Sequence, residues 1–190
     1  MNRFDLSLFH ALNQHFGHSP FDPLFIFFAS YPLEVYGLAL LAAWFTLPRQ
    51  DETRRHALVV AVAGGAIALA VNAVIGAIWF RPRPFVVLPG VHHIPHPPDT
   101  SFPSDHTAVG FGMTSGLWGR APKWLSWLFT VVSALVMVSR VYVGVHWPTD
   151  VLAGMLVGVV SGRLAHLFSR WLRPVTQFGL RLFRMGHYAR

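Results

Sequence analysis

The sequence contains no cysteine. Disulfide bonds, thiolate metal sites and thiol catalysis are therefore excluded. Charged residues are also scarce, at 12% of the 190 residues, whereas an ordinary soluble domain carries about 25%. Hydrophobic residues make up 53% of the chain, and they are concentrated in long stretches without charge. This composition predicts a membrane protein, because each helical crossing of a bilayer takes about 20 apolar residues.

Five stretches have the apolar character of membrane-spanning helices, and they predict an all-α polytopic helix bundle in a single domain. We place them at residues 24–47, 57–80, 104–118, 124–141 and 148–171. The first contains Pro32 and Glu34, and the third is short and rich in glycine. The loop 81–103 holds seven prolines and is too irregular to lie exposed in lipid.

The two ends of the chain differ in pattern. Residues 1–23 contain a predicted helix with one apolar face, formed by Phe4, Leu8, Phe9, Leu12 and Phe16. This pattern is typical of a helix lying in the membrane interface, and a short helix that caps the bundle fits it equally well. Residues 172–190 form a basic tail, and residues 24–171 are the expected transmembrane core.

Lysine and arginine are distributed unequally between the two sides of the predicted bundle. One side carries Arg3, Arg81, Arg83 and Arg140. The other carries Arg49, Arg54, Arg55, Arg120, Lys123, Arg163, Arg170, Arg173, Arg181, Arg184 and Arg190. Because cytoplasmic segments are the richer in these residues, the N-terminus and the loop 81–103 are expected to face outward. The same asymmetry accounts for the net charge of +7 without a nucleic-acid partner.

Three polar clusters interrupt the apolar pattern, and the number of crossings between them places all three at one membrane face. They are Arg81-Pro82-Arg83-Pro84, Pro103-Ser104-Asp105-His106, and Ser139-Arg140 with His146 and Asp150. Arg83 and Arg140 offer forked guanidinium donors suited to phosphate oxygens. Pro103 and Pro148 are typical of helix starts, where free backbone N–H groups, with the Ser104 hydroxyl, would point at a bound anion.

The third cluster has the spacing of an activated nucleophile. His146 precedes Asp150 by one helical turn, so the carboxylate can bond one imidazole nitrogen and leave the other free to attack phosphorus. His106 is then available to protonate the leaving oxygen. Taken singly, each residue has a simpler interpretation, since an arginine near the end of a span is often an interfacial anchor and Ser104 can be a helix cap.

The clusters resemble the signature of the type-2 phosphatidic acid phosphatase superfamily, which reads Lys-x6-Arg-Pro, Pro-Ser-Gly-His and Ser-Arg-x5-His-x3-Asp. The resemblance covers residues 76–150 by motif and nearly the whole chain by its pattern of spans. It implies a phosphohistidine intermediate on His146, oriented by Asp150, with His106 as general acid. It also implies phosphate binding by Arg83, Ser104 and Arg140, with no metal ion or other cofactor.

The sequence departs from this signature at two positions. Gly76 stands where the family has its lysine, and Arg81 is the obvious substitute as a phosphate ligand. Asp105 replaces the glycine of the second motif, and a carboxylate beside phosphate is unfavourable unless it points away or pairs with an arginine. Both features, with the strings RPRPF, SFPSDH and VHWPTDVLAG, are most similar to the bacterial undecaprenyl pyrophosphate phosphatases linked to bacitracin resistance.

Two other polar features are candidates for a functional role. Glu34 lies inside the first predicted span, and an intramembrane carboxylate is a functional candidate; we hypothesise that it pairs with an active-site arginine or shuttles a proton. His92, His93 and His96 suggest a metal site, but the loop supplies no clear fourth ligand. A polar loop near the lipid headgroups is the preferred interpretation of these histidines.

The sequence therefore predicts a membrane enzyme that hydrolyses a lipid-linked phosphate, with undecaprenyl pyrophosphate as the leading substrate. Phosphatidic acid and phosphatidylglycerophosphate are alternative substrates for the same chemistry. A transporter or lipid scramblase whose arginines only bind headgroups is the alternative from another class, and it would need neither His146 nor Asp150.

Overall fold

A computed structural model describes residues 3–188, and every regular element within that range is a helix. Arg190, which the charge distribution includes, lies outside the described residues. Within residues 3–188, nine α-helices are followed by a short 3₁₀-helix at Gly186–Tyr188. The helices are α1 (Arg3–Asn13), α2 (Asp22–Ser30), α3 (Pro32–Thr46), α4 (Glu52–Ile78), α5 (Pro84–Val87), α6 (Asp105–Leu117), α7 (Lys123–Tyr142), α8 (Pro148–Ala165) and α9 (Ser169–Leu182). The all-α prediction is confirmed.

The number of membrane crossings differs from the prediction. Among the described residues, only α4 and α7 are single helices long and apolar enough to cross a bilayer, and the pairs α2–α3 and α8–α9 raise the number to four if each is one broken span. Five spans are therefore not confirmed. The third predicted span corresponds to α6, whose 13 residues extend only about 20 Å, short of the roughly 30 Å hydrocarbon core.

Both bent pairs turn sharply. The axes of α2 and α3 differ by 73° across Tyr31, and Pro32 at the first position of α3 explains the break, because proline favours a helix start and cannot continue a preceding helix. The axis of the C-terminal segment that contains α9 differs from that of α8 by 79°. No proline or glycine lies between His166 and Phe168, so no local residue pattern indicates this second bend.

The centre of the bundle is formed by α4, α6 and α8, which approach one another closely. A Cβ atom at Gly64 would lie 2.6 Å from the carbonyl oxygen of Gly112 and 2.9 Å from Cα of Gly162. A Cβ atom at Gly154 would lie 2.6 Å from the carbonyl oxygen of Ser104. The small residues of α4 and α8 thus allow close backbone packing, and this packing fixes the start of α6.

Arg55 is fully buried and stabilises the connection between α3 and α4. Its guanidinium donates to the carbonyl oxygens of Trp44, Leu47 and Pro48 at 2.9, 2.6 and 2.6 Å, and to two further carbonyls of the connection. Trp44 lies in the last turn of α3, where carbonyl oxygens lack intrahelical partners. Arg55 therefore has a structural role.

The first helix packs on the bundle through a face that differs from the predicted apolar one. Asp5, Phe9 and Asn13 are buried, whereas Phe4 and Leu8 are exposed. The Phe9 ring lies 5.4 Å from that of Trp147, and Asn13 Nδ2 donates to two backbone carbonyls at 2.9 Å. The two polar residues are buried because they have specific partners, and α1 caps the bundle.

Candidate active site

A polar cavity of about 280 Å³ lies where the C-terminal end of α4, the start of α6 and the α7–α8 connection meet the loop 81–103. The charged and histidine side chains that line it are Arg83, His96, Asp99, Asp105, His106, Arg140 and His146. All three polar clusters of the sequence thus contribute to one cavity, as their predicted placement at a single face requires. Of the predicted site residues, Ser104, Arg81, Asp150 and Glu34 do not line it.

The two ring nitrogens of His146 face different groups, a backbone carbonyl and the guanidinium of Arg83. Its Nδ1–H donates to the carbonyl oxygen of Ser101 at 2.8 Å, and its Nε2 lies 3.3 Å from Arg83 Nη1. The side chain is only 2% exposed. Burial, followed by the positive charges of Arg140 and Arg83, lowers the pKa of His146 well below its ordinary value. The ring is therefore neutral, with an electron pair on Nε2.

Asp150 acts on His146 through Ser101 rather than by the predicted direct bond. The distance from Asp150 Oδ2 to His146 Nδ1 is 3.6 Å, too long for a hydrogen bond. The same oxygen accepts the Ser101 hydroxyl proton and, at 2.8 Å, the backbone N–H of Trp147. Ser101 therefore accepts from the imidazole through its carbonyl and donates to the carboxylate through its hydroxyl, a bridging position that its place in a proline-rich loop gave no reason to expect.

Arg81 does not reach the cavity, which corrects its assignment as a phosphate ligand. Its Nη1 donates to Asp150 Oδ1 at 2.5 Å and to Thr149 Oγ1 at 2.7 Å. Its Nη2 donates to Asp5 Oδ2 at 2.6 Å. Asp5 and Asp150 are 1% and 0% exposed, and two buried carboxylates require a cation between them. This requirement explains why Arg81 turns away from the cavity.

Asp5 completes this network from the first helix. Its Oδ1 accepts the backbone N–H of Thr149 at 2.9 Å, and its Oδ2 accepts the hydroxyl of the same residue at 2.8 Å. The first turn of α8 is thereby satisfied by Asp5 and Asp150, so it does not offer N–H groups to an external anion as predicted. Asp5 was not predicted as a site residue, because the pairing of residues distant in sequence leaves no local pattern.

Arg83 and Arg140 both line the cavity, and each has guanidinium N–H groups that do not donate to a backbone carbonyl or a carboxylate. Arg83 Nε donates to Asp99 at 2.8 Å, and its two terminal nitrogens donate to the carbonyls of Val145 and Thr100 at 2.8 and 3.1 Å. Each terminal nitrogen keeps one further N–H, and that of Nη1 faces His146. Arg140 is 2% exposed, and its Nε–H is buried without a partner. An anion in the cavity would satisfy these donors.

His96 lines the cavity, although the preferred interpretation of the loop histidines gave it no role in the site. Its Nε2 accepts from Arg140 Nη2 at 2.9 Å, and its ring centre lies 6.4 Å from that of His146. Burial is the main cause that lowers the pKa of His96, and Arg83 and Arg140 lower it further. His96 therefore covers Arg140 as a neutral acceptor that a phosphate oxygen can displace.

The second cluster is divided between the cavity and the protein interior. Asp105 and His106 line the cavity in the first turn of α6. Ser104 is fully buried behind them, where its hydroxyl accepts from Thr107 at 3.2 Å and its backbone N–H donates to the Asp150 carbonyl at 3.1 Å. Ser104 therefore does not line the polar cavity, and its contact with phosphate stays a prediction.

Asp105 neither points away nor pairs with an arginine. Its Oδ1 accepts from Nδ2 of Asn72 at 2.9 Å, so the buried amide of α4 holds the carboxylate at the edge of the cavity. Gly76, one turn further along α4, also lines the cavity. A Cβ atom there would lie 3.1 Å from the Thr100 methyl carbon, so Thr100 occupies part of the space that a longer side chain would enter.

Glu34 is exposed at the start of α3, and none of the hydrogen bonds or ion pairs found among residues 3–188 involves it. The hypothesis that it pairs with an active-site arginine is wrong, because Arg140 donates instead to the Ala29 carbonyl at the end of α2, at 2.8 Å. His93 stacks on Phe85 at 4.3 Å. The His92 ring lies 6.1 Å from that of His18.

An apolar groove of about 380 Å³ opens beside the polar cavity and shares Asp105 and His106 with it. Its other walls come from α3, α4 and α6, through Leu33, Val62, Gly65, Ala66, Leu69, Val109 and Met113. Val62 and Leu69 are about half exposed on the outer surface of the bundle, at 49% and 46%. A polar head in the cavity can thus remain attached to an apolar chain in the groove.

Comparison with known proteins identifies the family to which the chain belongs. The sequence matches the PAP2 superfamily over residues 56–174. Undecaprenyl-diphosphatase BcrC of Bacillus subtilis is 35% identical over 92% of this chain and 87% of its own. Bacitracin transport permease protein BcrC of Bacillus licheniformis is 33% identical over 85% of this chain and 76% of its own. The crystal structure of Aquifex aeolicus LpxE shares the fold, with a TM-score of 0.67 at 22% identity over 87% of this chain and 98% of that chain.

The family match includes every histidine and arginine that lines the polar cavity. Arg140 lies on α7, which is one of the two helices in the described part of the chain that are long and apolar enough to cross a membrane on their own. The chain therefore belongs to the PAP2 superfamily and is a membrane lipid phosphatase.

Proposed function

We propose that the protein hydrolyses undecaprenyl pyrophosphate to undecaprenyl phosphate at the outer face of the membrane, through a phosphohistidine intermediate on His146. The observation that carries the proposal is the junction of the polar cavity with the apolar groove at Asp105 and His106. A substrate with a charged head and a long hydrocarbon tail fits both parts at once. The name of the Bacillus subtilis relative, undecaprenyl-diphosphatase, supports this choice of substrate.

In the first step, the electron pair of His146 Nε2 attacks the terminal phosphorus and forms a P–N bond. The bond from phosphorus to the bridging oxygen breaks, and undecaprenyl phosphate leaves. The negative charge of the bound phosphate favours the protonated form of His106, which gives its proton to the departing oxygen. Arg83 and Arg140 neutralise the charge on the three peripheral oxygens.

In the second step, water attacks the phosphohistidine. His106, now neutral, takes a proton from that water, the P–N bond breaks, and inorganic phosphate is released with His146 restored. Throughout the cycle, the Ser101 carbonyl keeps the proton of His146 on Nδ1. Asp150 and Arg81 act behind Ser101 as positioning residues, because neither touches the cavity.

The outward direction of the site rests on the distribution of arginine. Of the residues expected on the outer side, Arg83 and Arg140 line the polar cavity, and Arg81 is held behind it by Asp5 and Asp150. Among the described residues of the opposite side, only Arg55 is buried. The difference in surface lysine and arginine between the two sides is therefore larger than the sequence alone indicated. This difference favours a cytoplasmic position for the end of the bundle opposite the cavity.

The test is phosphate release by the purified protein from undecaprenyl pyrophosphate and, separately, from phosphatidic acid and phosphatidylglycerophosphate. We expect the first to have the highest kcat/KM, and His146→Ala to reduce release to the background. A higher kcat/KM on either phospholipid would overturn the substrate assignment while leaving the chemistry intact.

One relative is named a transport permease, and a transporter needs no nucleophile. The two functions can be separated by trapping the intermediate with substrate labelled on its terminal phosphorus. Acid-labile, alkali-stable label on the wild-type protein and none on His146→Ala supports the phosphatase. Undiminished lipid movement by His146→Ala, with no labelled protein, would support the transporter.

A further inference from the structure

A second cavity, which we call the distal pocket, lies at the other end of α4 and encloses about 340 Å³. Its polar lining is Glu52, Thr53, His56, Arg120, Ser169, Arg173, Thr176 and Gln177, from α4, the α6–α7 turn and α9. His56 precedes Asn72 of the polar cavity by sixteen residues on the same helix, a separation of about 24 Å. The distal pocket is thus separate from the catalytic site.

Two arginines enter the distal pocket without partners. The guanidinium groups of Arg120 and Arg173 take part in no hydrogen bond or ion pair with any residue that the structure describes. The acidic residue in the lining, Glu52, is engaged elsewhere, because its Oε1 accepts from the backbone N–H and Nδ1 of His187 at 2.6 and 2.7 Å. Two exposed guanidinium groups that line one pocket can bind a phosphate or another anion together.

Hydroxyl and amide groups surround the two arginines. His56 contacts Thr176 Oγ1 at 2.7 Å and Ser169 Oγ at 2.9 Å, and these contacts hold α9 against α4. Gln177 lies on α9, and its side chain is exposed at the pocket. The pocket therefore presents both charged and neutral hydrogen-bonding groups, which suits a polar headgroup as well as its phosphate.

The outer face of α9 indicates that a phosphate bound in the distal pocket would belong to a membrane lipid. Trp171, Val175, Phe178 and Leu182 follow the i, i+4, i+7, i+11 spacing of one helical face, and they are 70%, 58%, 68% and 62% exposed. The segment is bent by 79° from α8, so it runs across the end of the bundle. A helix with an exposed apolar stripe, basic residues and this orientation lies in the membrane interface. Residues 172–182, predicted as the start of a basic tail, thus belong to a helix with the pattern of an interfacial one.

We propose that the distal pocket binds the phosphate of an anionic phospholipid in the leaflet opposite the catalytic site, with Arg120 and Arg173 as its cationic ligands. The apolar stripe of α9 enters the acyl region while the two arginines take the headgroup. The proposal is independent of the phosphohistidine mechanism, because no residue of the distal pocket lines the polar cavity.

The test measures the thermal stability of the full-length protein in a non-ionic detergent with three probes. These are dioctanoyl phosphatidylglycerol, dioctanoyl phosphatidylcholine and inorganic phosphate. We expect phosphatidylglycerol alone to raise the melting temperature of the wild-type protein through the distal pocket. In Arg120→Gln/Arg173→Gln, the Kd for phosphatidylglycerol should weaken roughly tenfold or more, since each lost charged hydrogen bond contributes over about 1.4 kcal/mol.

Arg170→Gln is the matched control, because Arg170 is an exposed arginine of α9 that stacks on Trp171 and lies outside the distal pocket. It should bind phosphatidylglycerol like the wild-type protein. If the double variant does not fold, Gln177→Glu places a carboxylate at the pocket from an exposed position and should weaken phosphatidylglycerol binding to the same extent. Phosphate release should remain at the wild-type rate in both Arg170→Gln and Gln177→Glu.

Three results would overturn the proposal. The first is an unchanged phosphatidylglycerol shift in the double variant and in Gln177→Glu. The second is an equal shift with phosphatidylcholine, which would indicate acyl-chain binding without headgroup recognition. The third is a shift with inorganic phosphate that equals the phosphatidylglycerol shift and depends on Arg120 and Arg173, which would indicate a site for the free ion.

Discussion

Asp5 and Asp150 accept hydrogen bonds from opposite terminal nitrogens of one guanidinium, that of Arg81, at 2.6 and 2.5 Å. One carboxylate belongs to the first helix and the other to the helix that follows His146. Both are buried. The position of the carboxylate behind the nucleophile therefore depends on a residue that lies outside the segment matched to the family.

This relationship predicts that Asp5→Asn lowers kcat with little change in KM. The amide still accepts from the Thr149 N–H, but Arg81 loses one of its two anions and can draw Asp150 and Ser101 out of place. A small displacement at a catalytic group costs roughly 10- to 100-fold in rate. Steady-state kinetics measure the effect. Asp51→Asn, which changes a carboxylate at the far end of α4, is the control, and equal losses in both variants would contradict a positioning role.

The protonation state of His146 gives a second prediction. Because burial and two arginines lower its pKa, the ring should remain neutral at pH 6, where imidazole of ordinary pKa near 6.5 is mostly protonated. The unfolded chain then binds a proton that the folded chain excludes, so the free energy of unfolding should fall as the pH drops below about 6.5.

The measurement is the ¹⁵N spectrum of labelled histidine in the detergent-solubilised protein, with His146→Gln to assign the resonance. A neutral Nδ1–H form with an unprotonated Nε2 is expected at pH 6. Half-protonation of His146 at its ordinary pKa in the free protein would contradict the burial and the charge arrangement seen here.

The apolar groove predicts a selective effect on long substrates. Ala66→Trp fills part of the groove between α3 and α6 and should raise KM for undecaprenyl pyrophosphate about tenfold, because tail contacts of roughly 1–2 kcal/mol are lost. The KM for a short-chain isoprenyl pyrophosphate should not change. Ala42→Trp makes the same substitution at an exposed position of α3 outside the groove. A similar rise with both substrates would indicate general distortion.

Close packing of α4 and α6 predicts a stability difference between two glycines. Gly64→Ala places a Cβ atom 2.6 Å from a backbone oxygen of Gly112, and we expect a loss of about 1–3 kcal/mol in the free energy of unfolding. Gly37→Ala, where a Cβ atom meets nothing within 4 Å, should be neutral or stabilising by up to about 1 kcal/mol. Thermal unfolding of both variants in the same detergent makes the comparison.

The sequence predicted the helical class and the convergence of Arg83, His106, Arg140 and His146, because crossings of a membrane alternate between its faces and local spacing orders residues along a helix. It did not predict the direction of Arg81. Both the phosphate site and the buried carboxylates attract a cation, and the choice between them depends on Asp5, whose position follows from tertiary packing.

Other differences also have tertiary causes. The predicted short span at residues 104–118 corresponds to α6, and its glycines pack against α4 and α8 in the bundle centre, which the apolar composition alone did not indicate. His96 reaches Arg140 through a loop whose path is fixed at its ends by contacts of Ser101 and Asn13. Glu34 was a functional candidate because it lies inside the first predicted membrane span. In the structure the chain bends at Tyr31, and Glu34 is exposed at the start of α3.

The sharing of Asp105 and His106 by the polar cavity and the apolar groove has a consequence for inhibition. On the proposed reaction, one product is retained in the bilayer and the other is released to water. A small phosphate mimic would compete only for the cavity, and an isoprenoid alcohol only for the groove. Two such compounds could occupy the enzyme together, and a molecule joining them across His106 would gain the advantage of both binding regions.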